Sequence, residues 1–233
     1  MITVEICVSD VPTALVAEAA GADRLELCAD LGQGGTTPSL GTVEVALRAL
    51  RTAALRVMVR PRGGGFRVSE LEEQVMLADI AAVRALPNPH GLPLGVVVGA
   101  LTGDGRLDLA VLRRLVAAAG PLPVTVHKAF DEVGDQLRAI EEIIDLGVDA
   151  VLTSGAAPTA LDGAARLAEL RQRAGDRLRI VAAGGIRSHN VRLVLDRAGV
   201  EEIHLRAPVS RDGREATDAD EVRRVVDATR SLS

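Results

Sequence analysis

The sequence contains no tryptophan and no tyrosine, and only two phenylalanines among its 233 residues. A core must therefore be built from Ala, Val, Leu and Ile, which the 48% hydrophobic content supplies. A net charge of −5, with no basic stripe interleaved with aromatics, argues against a nucleic-acid partner. The longest apolar run, residues 92–101, is too short to cross a bilayer, so no membrane association is expected. Two cysteines do not make a disulfide framework. The first residues, Met1-Ile2-Thr3-Val4-Glu5, lack the basic region of a secretion signal and lead straight into a strand pattern. A reducing, cytoplasmic location is the expectation. Lysine is nearly missing: of 27 basic side chains, only Lys128 is a lysine, a bias spread along the whole chain.

What is present is alternation. Residues 2–8, 24–28, 55–60, 94–101, 124–128, 150–153, 179–183 and 202–206 read as strands. Between and after them, residues 11–20, 40–51, 69–86, 109–119, 136–146, 161–174, 188–198 and 219–230 read as helices. Strand–helix alternation predicts a parallel sheet. Eight such units in this length predict one domain over residues 1–233, a closed (β/α)8 barrel. Three helix ends share one pattern: Gly21-Ala22-Asp23, Gly147-Val148-Asp149 and Gly199-Val200-Glu201 each precede a strand. Glycine takes the left-handed conformation after a helix, and the carboxylate then opens the next strand. A doubly wound open sheet would need a glycine fingerprint after the first strand, where Ser9-Asp10-Val11-Pro12 reads as a helix cap.

Strands of a parallel sheet are normally apolar on both faces. Residues 24–28 break that rule, with Leu25 and Leu27 on one face and Arg24, Glu26 and Cys28 on the other. Alternation also turns Glu5, Cys7, Arg60, His127 and His204 inward, with Arg62 and Asp131 just beyond strand ends. Buried charges need partners, and catalytic groups of barrels gather at the C-terminal strand ends. Glu5, Glu26, Arg60, His127, Asp131 and His204 are thus candidate acid–base or orienting groups, with Asp131 placed to orient a histidine. Arg24, Arg62, Thr153, Ser154, Gly155, Gly184 and Gly185 are candidates for holding an anion. The last two precede a helix pattern, where free N–H groups attract phosphate or carboxylate. Cys7 and Cys28 end adjacent strands and are candidate soft-metal ligands or small buried side chains. Lys128, next to His127, would point outward if the strand continues through it.

Several motifs together resemble the CutC family of copper homeostasis proteins. They are Leu25-Glu26-Leu27-Cys28, Gly34-Gly35-Thr36-Thr37-Pro38-Ser39, Arg60-Pro61-Arg62-Gly63-Gly64, His127-Lys128-Ala129-Phe130-Asp131, Leu152-Thr153-Ser154-Gly155 and Gly184-Gly185-Ile186. The resemblance spans nearly the whole chain. It implies a TIM-like barrel, a cytoplasmic location, self-association as a dimer or tetramer, and a copper partner bound as Cu(I) by cysteine thiolates. The chain departs from the family at Lys128, where arginine is usual. The alternative expectation is an enzyme of unknown reaction on a small phosphorylated or carboxylated metabolite, using the Arg/Glu/His set.

Overall fold

A computed structural model describes residues 1–211 and 214–231. The chain runs β1 (Thr3–Val8), α1 (Val11–Ala19), β2 (Arg24–Leu27), α2 (Leu40–Ala49), β3 (Ala54–Met58), α3 (Glu70–Ala85), β4 (Leu94–Val98) and α4 (Leu109–Ala119). It continues through β5 (Val124–Val126), α5 (Gln136–Asp145), β6 (Ala150–Thr153), α6 (Ala164–Ala174), β7 (Arg179–Ala183), α7 (Val191–Ala198) and β8 (Glu202–Leu205). A hairpin, β9 (Pro208–Arg211) and β10 (Arg214–Thr217), precedes α8 (Ala219–Arg230). Strands β1 to β8 pair in sequence order into a closed barrel, all parallel, and β8 returns to β1. The expected (β/α)8 barrel is the fold.

Local chemistry explains the elements. Outward strand residues such as Ile6, Leu25, Leu27, Leu55, Val57, Val96 and Val98 are fully buried in the layer beneath the helices. Helix starts are capped by Asp10, Ser39, Asp108, Asp135 and Asp218, and Ser69 forms a reciprocal capping box with Glu72. The Gly-x-Asp turns do more than reverse the chain. Asp23 accepts the Val4 N–H at 2.8 Å, and Asp149 accepts the Val124 N–H at 2.7 Å. Each carboxylate thus stitches its turn to the strand before it. Glu201 departs from this pattern: it is the Glu201 backbone carbonyl that accepts the Thr3 N–H.

Several boundaries differ from expectation, three of them for a visible reason, and one hairpin is added. Strand β5 stops at Val126, and residues 128–132 form a 3-10 turn. Helix α6 starts at Ala164, because Gly155 through Gly163 folds tightly back on the barrel end, where a side chain at 163 would strike the Ser154 carbonyl. Helix α7 starts at Val191, because residues 184–190 form a turn in which Asn190 accepts the Arg187 N–H. The β9–β10 hairpin was not expected, although alternating runs around Asp212-Gly213 are a hairpin signal in sequence.

The barrel interior is divided. On the β6–β7 side Ala150, Leu152, Val181 and Ala183 form an apolar lining, which fixes the inner register of β6. Opposite, β1, β2, β3 and β8 contribute the charged side chains. No helix among the described residues is long and apolar enough to cross a membrane.

Candidate functional site

The interior is built in two levels. At the lower level Arg24 is clamped between two carboxylates, Glu5 and Glu202, the latter at 2.6 Å. Arg24 and Glu202 are 178 residues apart and meet because β8 closes against β1, pairing Glu5 with His204 and Thr3 with Glu202. Arg24 was expected to hold an anion. Both its carboxylate partners are internal, so it is a structural plug at the barrel floor.

Above the plug, Glu5 accepts a hydrogen bond from His204 Nδ1 at 2.7 Å, while His204 Nε2 lies 3.9 Å from Glu26. Cys28 Sγ donates to Glu26 at 3.4 Å, and the Cys7 and Cys28 sulfurs are 3.9 Å apart. All five side chains are buried. Burial opposes ionisation of Glu5, but Arg24 and His204 outweigh it and hold Glu5 down to about 2. Burial likewise opposes charge on His204, yet Glu26, Cys7 and Glu5 around it keep it cationic. Contact with Cys28, helped by His204, draws the Cys7 thiol down to about 5. Cys28 is pushed up by the Cys7 contact and by burial. Glu26 is pushed up to about 8, chiefly by burial. The two thiols therefore titrate as a pair with the thiolate favoured at Cys7.

The upper level is the mouth, a cavity of about 150 Å³ lined by Cys7, Glu26, Met58, His127 and His204 and rimmed by Arg60, Phe66, Lys128 and Arg206. Arg60 donates to the carbonyls of Gln33, Gly35 and Gly64 at 2.6–2.9 Å, and its guanidinium lies 4.9 Å from the Phe66 ring centre. It ties two βα loops together. The His127 ring packs between Phe66, at 5.0 Å, and Gly99, where any Cβ would collide with it. Its Nδ1 accepts the Ala129 N–H at 3.1 Å, and its Nε2 has no partner among the described residues. Burial, with the nearby Arg60, lowers its pKa to about 3, so the ring is neutral.

Other candidates stand apart. Asp131 does not orient a histidine. It accepts from the Ser154 N–H and hydroxyl, the Thr153 hydroxyl and the Ala156 N–H, and pairs with Lys128 at 3.2 Å. It is a brace between the β5 and β6 loops. Arg62 is half exposed and engaged by Glu72 and the carbonyls of Gly63, Gly65 and Arg67, away from the mouth lining. The carbonyl of Gly184 accepts from Ala160 and that of Gly185 from Asn190. With α7 starting at Val191, these glycines do not open a helix as expected. The early end of β5 turns Lys128 into the mouth, not outward. Phe66 and Gly99 escaped the sequence reading. Phe66 is one of only two phenylalanines and sits in a glycine-rich loop, a usable signal. Gly99 shares the level of His127 only once strand register is known.

The pattern that defines the CutC family matches residues 2–209. The chain belongs to the CutC family. It is 48% identical over 204 residues to a CutC family protein of Mesorhizobium japonicum, covering 88% of this chain and 77% of that one. It is 42% identical to the human copper homeostasis protein cutC homolog, covering 89% of this chain and 74% of the human one. The solved CutC structure from Streptococcus agalactiae superposes with a TM-score of 0.81 at 30% identity, over 88% of this chain and 98% of that one. Phosphoribosylanthranilate isomerase of Thermotoga maritima, at TM-score 0.64 and 16% identity over the full length of both chains, shares the barrel fold alone.

Proposed function

We propose that this CutC family member is a copper homeostasis protein that takes Cu(I) as cargo on Cys7 and Cys28. The observation that carries the reading is the pair of buried sulfurs 3.9 Å apart. Metal–thiolate bonds are about 2.3 Å in zinc sites, so one soft ion can bridge such a pair. Cys7, Glu26 and His204 have ligand-type atoms within 4.8 Å of one another, with His204 present as a cation beside the sulfurs and not as a ligand, and Met58 packs against both cysteines. The donor set suits the ion. Thiolates select Cu(I), and the thiolate-favouring Cys7 leaves only the Cys28 proton to be displaced.

The reading requires reduced thiols, which places the protein in the cytoplasm. Anaerobic titration with Cu(I) against a chromophoric chelator should show one tight equivalent. Cys7→Ser with Cys28→Ser should weaken it at least about a hundredfold, as loss of both soft ligands requires. Binding unchanged in the double variant contradicts the proposal.

The same reading includes self-association as a dimer or tetramer. Leu40 and Val45 of α2 and Leu71 and Val75 of α3 are exposed apolar side chains on neighbouring helices that a second copy would cover. Light scattering should return a multiple of 24.3 kDa, and a monomer at micromolar concentration would contradict it.

A further inference from the structure

Two buried groups at the mouth stand out beside the orphaned Glu26 Oε1, a donor without an acceptor and a cation held only by neutral acceptors, and neither belongs to the sulfur pair. The first is His127. With Nδ1 accepting the Ala129 N–H, the ring proton resides on Nε2. That N–H is buried in a residue only 4% exposed and finds no acceptor among the described residues. A buried donor without an acceptor is unfavourable until a ligand supplies one. The second is Arg60, 8% exposed. Its protein partners are three neutral carbonyls, and no carboxylate among the described residues pairs with it. Burial and the neighbouring Arg62 depress its pKa, and Cys28 and Glu132 offset this only in part. Both groups line one cavity, bridged by the Phe66 ring that touches each. Lys128 and Arg206 add positive charge to the same rim, though each also meets a carboxylate, Asp131 and Glu215.

We infer that the mouth binds a small organic carboxylate or 2-oxo acid, one oxygen of which accepts the Nε2–H of an uncharged His127 while its negative charge faces Arg60. An anion satisfies the cation, and an acceptor oxygen satisfies the donor. A cavity of about 150 Å³ suits a ligand of about the size of benzene, which a closed cavity of that volume holds. Pyruvate and malonate are of this size. The neutral ring acts as a fixed hydrogen-bond donor, the role imidazole plays at a carbonyl oxygen when its charge is suppressed. Gly99 is part of the device, because a side chain there would push the ring out of line. This inference does not rest on the copper reading.

The test is calorimetric titration of the full-length, metal-free protein with pyruvate and with malonate, alongside long-range proton–nitrogen NMR of the His127 ring. Saturable binding of at least one probe is expected. His127→Phe should weaken it about tenfold or more, the worth of a hydrogen bond to a charged acceptor. His127→Gln, which keeps a donor, should stay within about threefold on the same reasoning. The NMR should show the Nε2–H tautomer at neutral pH, with its proton resonance moving as ligand is added. No saturable binding of either probe overturns the inference. So does binding insensitive to His127→Phe, or a ring protonated at Nδ1. Should His127→Phe not fold, His127→Gln and the tautomer measurement still decide.

Discussion

At the scale of the residue, one histidine was legible as important but not in its role. Two inward histidines suggested proton transfer. The structure gives them opposite characters, His204 cationic between carboxylates and His127 neutral behind Phe66. Which carboxylate faces which histidine depends on register, and sequence alternation does not supply that. Asp131 is the instructive error: four residues from His127, it turns to the β6 loop, because β5 ends at Val126 and a 3-10 turn redirects the chain. The depressed pKa of His127 has a consequence for stability. Between pH 6.5 and about 3 the unfolded chain binds a proton at this residue that the folded chain refuses, so the His127 contribution to stability falls as pH drops through that window, while Glu26, at about 8, contributes in the opposite direction above the ordinary carboxylate range. Between pH 6.5 and 5 the His127 loss amounts to about 2 kcal/mol. Glu5, held down to about 2, adds its own loss only below the ordinary carboxylate range. Urea unfolding at the two pH values should therefore show a steeper acid loss in wild type than in His127→Gln. Equal losses would mean that the ring is not held neutral.

At the scale of the element, most helices and strands were visible because strand–helix alternation and capping residues are local signals. The Gly-x-Asp turns were read as chain reversals, and the structure adds their second task. Asp149 bonds the Val124 N–H across a neighbouring strand, a partner set by the parallel ladder and invisible to local pattern. Asp149→Ala should lower stability by about 1–2 kcal/mol by leaving that N–H unpaired, whereas Asp149→Asn, which keeps an acceptor oxygen, should recover most of it. Chemical denaturation of both variants checks this. An alanine variant as stable as wild type would show the bond to be immaterial. The β9–β10 hairpin went unread because eight strands had already satisfied the barrel, although its residues alternate on either side of Asp212-Gly213.

At the scale of the whole molecule, the inward polarity of β1, β2, β3 and β8 was the anomaly that pointed to a site. Barrel closure then decides how those charges divide. Joining β8 to β1 brings Glu202 to Arg24 and consumes the arginine in a floor plug. The same closure carries His204 to Glu5, beneath the sulfur pair. Removing one member of such a plug would strand buried charge, so these residues are read as support for the site and not as ligands. What remains above is a sulfur pair on one side of the mouth and, on the other, a neutral histidine with an arginine held by neutral carbonyls.

The central claim is that Cys7 and Cys28 together hold Cu(I), and X-ray absorption at the copper edge of the Cu(I)-loaded protein tests it most directly. The account predicts a first shell containing two sulfur neighbours that vanishes in the Cys7→Ser/Cys28→Ser variant. A shell of nitrogen and oxygen alone in the wild type, or the same sulfur signal in the double variant, would contradict it.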